Sequence, residues 1–318
     1  MSATIEELPS TRPPARSFTL RPSVREALWG YAFIGPWLVG LVVFTAGPML
    51  VSLGMSLTDF NLVKPEAMKF VGLENYARLA SDPTIAQSLI ATFKFAIFAI
   101  PLTMGASLGF AVLLNHPKLA FKGPLRALVY MPVMIPLVAS TLVWLGFLNT
   151  ETGWLNAILG AIGLPRIDWI NSEAWVYPAL SLIGLWGIGN FMLINIAGLQ
   201  SVPTELYEAA RMDGAGAWTQ FRRITIPLMS PVLLYNLVII LIGTFQYFTQ
   251  AFVITNGRGD PNNATLFMNL VLYREGFVFN HMGYAAAIAW LLFVIVLGLT
   301  LVLFAFARRR VYYAGGER

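Results

Sequence analysis

The sequence predicts an all-α, polytopic membrane protein with six transmembrane helices. Hydrophobic residues make up 57% of the 318 and charged residues only 12%, about half the charged share of a soluble domain. Five long intervals carry no charge, namely 27–58, 127–150, 174–204, 224–257 and 282–307, and a sixth, 84–115, carries only Lys94. A spanning helix needs roughly 20 mostly apolar residues. Each interval therefore holds one span, drawn at 30–57, 86–114, 126–148, 176–199, 228–254 and 283–307.

Taken in order, residues 1–28 carry Arg12, Arg16, Arg21 and Arg25 among prolines and lack an apolar h-region, so they do not read as a cleaved signal peptide. They are expected to form a cytoplasmic tail with a short interfacial helix near 24–28. A membrane domain at 29–310 and a carboxyl tail at 311–318 follow. An even number of spans places both termini on one side, and basic residues resist translocation. Fourteen of the 21 Lys and Arg fall in residues 1–28, the 115–126 loop, the 200–227 insert and residues 308–318. Those parts are expected to be cytoplasmic. Lys94 is expected near the outer end of its span, its stem letting the ammonium snorkel to the interface.

Several function classes fall away. No Asp or Glu lies inside a span, which disfavours ion-coupled carriers and proton or redox pumps that rely on intramembrane ionisable groups. There is no cysteine, and His116 and His281 lie far apart in sequence. Disulfides, thiolate catalysis and Cys-based metal sites are excluded. No catalytic residue, metal ligand or cofactor is expected, and the net charge of +5 reflects topology rather than nucleic-acid binding. An intramembrane enzyme would need a nucleophile–base pair that the spans do not offer; a non-transporting membrane scaffold is a further rival.

The 200–227 insert departs from an ordinary loop. Ser201 or Thr204 is placed to cap a helix, Pro203 is tolerated at its start, and Glu205 suits the positive helix end. Glu208 is followed by the small Ala209 and Ala210. Asp213-Gly214 ends the helix, glycine supplying a left-handed conformation. A second helix at about 217–223 carries Trp218, Phe221, Arg222 and Arg223, and the chain returns to the membrane through Ile224 and Pro227. An amphipathic pair resting on lipid headgroups would share these features.

The spacing Glu208-Ala209-Ala210, three residues, Gly214, nine residues, Ile224, one residue, Ile226-Pro227 resembles the EAA loop of binding-protein-dependent ABC importer permeases. Ile226 stands where that family has leucine. Residues 70–76, 125–132, 198–203, 255–257 and 282–287 are similar to its sugar-type branch, the maltose and glycerol-phosphate permease relatives. At 257–261, Arg258 and Asp260 stand where relatives carry glycines before proline. The resemblance implies a type I ABC importer permease fold. It also implies a second homologous permease, two cytoplasmic ATP-binding subunits, an extracytoplasmic solute-binding protein and a sugar substrate. It assigns ATPase coupling to Glu205, Glu208, Ala209, Ala210, Asp213, Gly214, Ile224 and Pro227. The chain has no G-x-x-x-x-G-K-[ST] phosphate loop of its own.

Polar side chains inside spans are expensive against lipid and tend to face a bundle interior or a wet cavity. The fourth span offers Asn190 and Asn195 beside Trp186 and Gly187. The fifth offers Asn236, and Thr244, Tyr247 and Gln250 at helical spacing on one face. Trp186, Gly187, Asn190, Thr244, Tyr247 and Gln250 are the expected substrate contacts, the resemblance pointing to the same two helices. A carbohydrate suits this chemistry; glycerol 3-phosphate or another polyol-derived solute is the alternative. Helix–helix glue is the competing role for each group.

Overall fold

The computed structural model describes residues 22–308, so the expected amino tail up to residue 21 and the carboxyl tail at 311–318 lie outside the described residues. The chain divides into two units, residues 1–52 and 53–318.

The first unit holds α1 (Pro22–Leu41), a π-helical turn (Val42–Ala46) and the start of α2 (Gly47–Ser56). Its apolar stretch Glu26–Ser56 is long enough to cross a membrane. The separate interfacial helix expected at 24–28 does not occur; those residues are continuous with α1. The wide turn ends directly before Pro48, which has no N–H to give and whose ring crowds the carbonyl four residues back. Gly47 N–H instead bonds Val42 C=O.

In the second unit come α3 (Glu74–Ser81), α4 (Pro83–Asn115), α5 (Lys122–Tyr130), α6 (Leu137–Phe147), α7 (Trp154–Ala161), α8 (Val176–Leu185) and α9 (Gly189–Gln200). The insert forms α10 (Thr204–Met212), α11 (Ala217–Gln220) and α12 (Ile226–Leu228); then follow α13 (Ser230–Phe245), α14 (Thr249–Thr255), α15 (Met268–Tyr273) and α16 (Met282–Ala307). Among the described residues there is no strand, only isolated bridges at Thr58–Phe70 and Asn61–His281.

Four helices are long and apolar enough to span, and six if each of two bent pairs is one span. The six-span expectation therefore holds only with broken helices. The third span is bent by 102° between Met134 and Leu137. Proline is the cause: Ile135 precedes Pro136 and takes φ −79°, ψ 130°, because a residue before proline is pushed out of the helical region. The fourth span is bent by 60° between α8 and α9, where Trp186, Gly187 and Ile188 make tight i→i−3 bonds. The fifth is interrupted at 246–248 between α13 and α14. Unwound backbone inside a membrane must find partners, and the Gln246 C=O freed here accepts from Asn269 Nδ2 at 2.8 Å.

Helix α4 is the spine of this unit, packing on α8, α9 and α13. One apolar cluster joins its first half to α13, α15 and α16 around Phe245, Met268 and Ile288. A second joins it to α8 and Phe267, and a third, around Ala111 and Met192, seals its far end. Threaded through this packing is a fully buried polar chain. Asn236 Nδ2 donates to Asn195 Oδ1 at 2.8 Å, and Asn195 Nδ2 donates to Ser107 Oγ at 3.2 Å. It ties α4, α9 and α13 together, so Asn195 and Asn236 are helix glue. Close approach fixes the start of α16: a Cβ on Gly283 would sit 2.0 Å from Thr58 C=O, and Gly283 N–H bonds Phe60 C=O.

Candidate functional site

Two places carry the site residues expected from sequence, at different levels along the bundle. The first is the insert. Helix α10 begins after Pro203, but neither Ser201 nor Thr204 caps it. Ser201 Oγ turns back to donate to Gly198 C=O at 2.8 Å, closing the end of α9 instead. At the other end Gly214 has φ +77°. Its N–H bonds Arg211 C=O at 3.0 Å while Ala215 N–H bonds Ala210 C=O at 2.8 Å. This is a Schellman closure, satisfying carbonyls a helix end would otherwise leave bare. Glu205, Glu208, Ala209, Asp213 and Gly214 are exposed and Ala210 is half-buried.

The insert also presents apolar surface. Met212 is 89% exposed and Trp218 71%. Below this surface, Tyr207 OH and Thr225 Oγ1 share a hydrogen bond of 2.9 Å. That bond ties α10 to a π-helical turn (Phe221–Thr225), which holds Ile224 half-buried before Pro227. Residues 204–227 thus form one braced unit leading into α13. Sequence reasoning missed Tyr207 and Thr225. Their only signal was a polar residue on the otherwise apolar side of each segment.

The second place is a cavity of about 310 Å³ between α4, α8, α9 and α13. Thr244, Tyr247 and Gln250 line it together, as the helical spacing implied, although the helix breaks between them. The other walls are Phe95, Thr103, Ser181 and Phe191 with the aliphatic Ala99, Leu180, Ile239 and Ile240, and backbone at Gly184 and Gly243. Thr244 Oγ1 is committed to Ile240 C=O at 2.7 Å. Tyr247 OH and Ser181 Oγ are buried without a hydrogen-bond partner. Buried hydroxyls are normally satisfied; these two are enclosed in the cavity wall with almost no accessible surface of their own. Tyr247 is held by Phe95 at 4.6 Å and Phe267 at 5.7 Å between ring centroids.

The fourth-span residues of the expected substrate set do not line this cavity. Trp186 packs on Trp144 at 5.2 Å and Phe147 at 6.5 Å, and Gly187 and Asn190 are exposed. The 60° bend turns α9 away from the face that a straight 176–199 helix would share. From this span, Leu180, Ser181, Gly184 and Phe191 line it instead. A lone serine four residues after Tyr177 and three before Gly184 was the available signal.

At the amino-terminal end of α4 a polar cluster seals the bundle. Asp82 accepts from Thr84 N–H and from Tyr284 OH, both at 2.9 Å. The Arg78 guanidinium lies 3.7 Å from the Tyr284 ring centroid and 3.6 Å from Glu275, which His281 Nδ1 approaches to 2.9 Å. Desolvation pushes the Asp82 carboxyl up, but the Thr84 and Tyr284 hydrogen bonds and the Arg78 charge outweigh it and hold it below its ordinary value.

Broken spans around a cavity, with a braced insert at one end, are the architecture of a membrane domain built around a pathway. Residues 102–311 match the family described as binding-protein-dependent transport system inner membrane component, and the chain belongs to that family. It is 37% identical over 298 residues to "Probable ABC transporter permease protein YesP" of Bacillus subtilis (strain 168), covering 92% of this chain and 94% of that one. It is 32% identical to "Lactose transport system permease protein LacF" of Rhizobium radiobacter, covering 88% and 94%. The crystal structure of a bacterial ABC transporter involved in the import of the acidic polysaccharide alginate superposes with TM-score 0.76 at 22% identity, covering 90% of this chain and 97% of that one. The fold is that of type I ABC importer permeases, and the chain is a multi-pass membrane permease subunit of such an importer.

Proposed function

We propose that this subunit lines half of the translocation pathway for a carbohydrate, in a pair with a second, homologous permease. The observation that carries this reading is the α4–α8–α13 cavity. It sets the unpartnered hydroxyls of Ser181 and Tyr247 and the Gln250 amide among aromatic faces, with no charged side chain on its wall. Hydroxyls, an amide and rings suit a sugar, whose hydroxyls both donate and accept. An uncharged lining disfavours glycerol 3-phosphate. The lactose system to which LacF belongs supports the same class.

In this reading both termini and the insert are cytoplasmic, and the 256–266 loop faces the compartment from which a solute-binding protein delivers the sugar. Helix α10 docks on an ATP-binding subunit, one of two that supply the energy. Glu208 pairs with a basic or polar group there, and Ala209 and Gly214 let the partner backbone come close. Glu205 and Asp213 flank that contact, while Ile224 and Pro227 carry the motion into α13. The test is co-expression with the neighbouring permease, ATPase and binding-protein frames, purification on this chain and reconstitution in vesicles. ATP-dependent accumulation of labelled neutral sugar is expected. Solute movement by this chain without an ATPase, or an insert labelled from outside intact cells, would overturn the assignment.

A further inference from the structure

Lys94, expected to snorkel to the membrane interface, is exposed and stands on the wall of a second, open cavity. This one is about 290 Å³ and lies one level nearer the amino-terminal end of α4. Its polar wall is Gln87, Lys94, Glu173, Tyr177, Asn262 and Asn263. The 256–266 loop straps across it: Asn262 Nδ2 donates to Glu173 Oε1 at 2.8 Å and Asn263 Nδ2 to Gln87 Oε1 at 3.3 Å. Both asparagines sit at positive φ, 45° and 60°, a conformation asparagine tolerates better than most residues. Lys94 makes no hydrogen bond or ion pair among the described residues.

The two cavities share the helices α4 and α8. Along α4 the first is lined from Gln87 to Lys94 and the second from Phe95 to Thr103. Lys94 and Thr103 are therefore separated by about 13 Å of helix rise. Between the levels stand aromatic rings: Tyr177 of the first cavity lies 6.5 Å from Phe95 of the second and is stacked on Phe98 at 6.4 Å. Phe95 in turn meets Tyr247.

We propose that the Lys94 cavity is a second carbohydrate subsite, so that this permease holds a neutral oligosaccharide across both levels rather than a single sugar ring. The inference rests on the carbohydrate reading above and narrows its substrate class. One cation and one anion leave the wall without net charge, while the ammonium, carboxylate, amides and phenol offer both donors and acceptors to a hydroxyl-rich unit. Tyr177, Phe95 and Phe98 give the linkage apolar faces to cross.

The test uses the purified permease–ATPase complex in nanodiscs and measures retention of labelled glucose, galactose, maltose, lactose, maltotriose and digalacturonate. Lys94→Met keeps the apolar stem and removes the ammonium; Lys94→Arg keeps a cation. Lys94→Met is expected to weaken binding of the retained neutral di- and trisaccharides about tenfold, the loss of one charge-assisted hydrogen bond. It should leave monosaccharides within about twofold, and Lys94→Arg should restore most of the loss. Equal weakening at every chain length, no weakening at all, or weakening confined to digalacturonate would overturn the proposal. A wild-type complex that retains none of the neutral sugars overturns the carbohydrate reading itself, a separate outcome.

Discussion

The insert at 204–227 and the cavity at Ser181–Tyr247 are encoded in opposite ways. The contacts that brace the insert lie within it: the Gly214 closure spans six residues, and Tyr207 meets Thr225 eighteen residues on. The cavity is assembled from residues between Phe95 and Gln250 on separate helices. A local device can be read from spacing, because a helix end and a tight turn restrict which residues fit. A non-local device depends on where helices bend, and a bend moves every residue beyond it.

That contrast can be broken by variants that act on one region alone. The largest effect is expected from Gly214→Asp. It forces a branched side chain to φ +77° and adds negative charge at a helix carboxyl end, where the dipole disfavours it. Uptake should fall to background and ATPase co-purification by about tenfold or more, while the membrane-inserted amount stays at the wild-type level. Normal co-purification would remove the docking role. Next, Tyr247→Ala should raise the sugar concentration for half-maximal uptake about tenfold, and Tyr247→Phe, which loses only the orphaned hydroxyl, by less than that. Assembly with the ATPase should not change in either; unchanged uptake takes Tyr247 out of the path.

Tyr207→Phe sharpens the comparison from the insert side. Losing the bond to Thr225 costs about 1 kcal/mol of bracing. The expected result is a severalfold drop in sugar-stimulated ATP hydrolysis with sugar retention intact. A matched loss in retention would mean that the two regions are not separable. The smallest effect belongs to the Asp82 cluster. A carboxyl held below its ordinary value in the folded state stabilises at neutral pH, and that contribution is lost as pH falls through its lowered pKa. The melting temperature in detergent should therefore drop more steeply in acid for the wild type than for Asp82→Asn. Superimposed pH profiles would show that Asp82 contributes nothing.

Much of the fold was legible. The apolar intervals match the four long helices and the two bent pairs, and Gly214 announced its turn. Pro132 and Pro136 stood in the third span, yet the 102° bend they produce was not drawn from them, and Gly184, Gly187 and Gly189 likewise marked the second break. Among the site residues, Thr244, Tyr247 and Gln250 converge as their spacing implied, whereas Trp186, Gly187 and Asn190 do not join them. Ser201 was read as a cap for the helix that follows and instead serves the one before. A hydroxyl can reach backbone on either side, and sequence does not say which carbonyl or N–H is left bare.

The sequence by itself determined that the chain is helical and membrane-spanning, and where its structured insert lies. Apolar run length and backbone hydrogen-bonding demands fix those features locally. Only the tertiary structure decided that Asn195 and Asn236 bond each other across helices while the Ser181 and Tyr247 hydroxyls are left without a partner, and that Lys94 stands on a cavity wall. The residue types in the two groups are alike. What separates them is whether packing brings a partner within about 3 Å of the polar atom, and that distance is set by helices far apart in the chain.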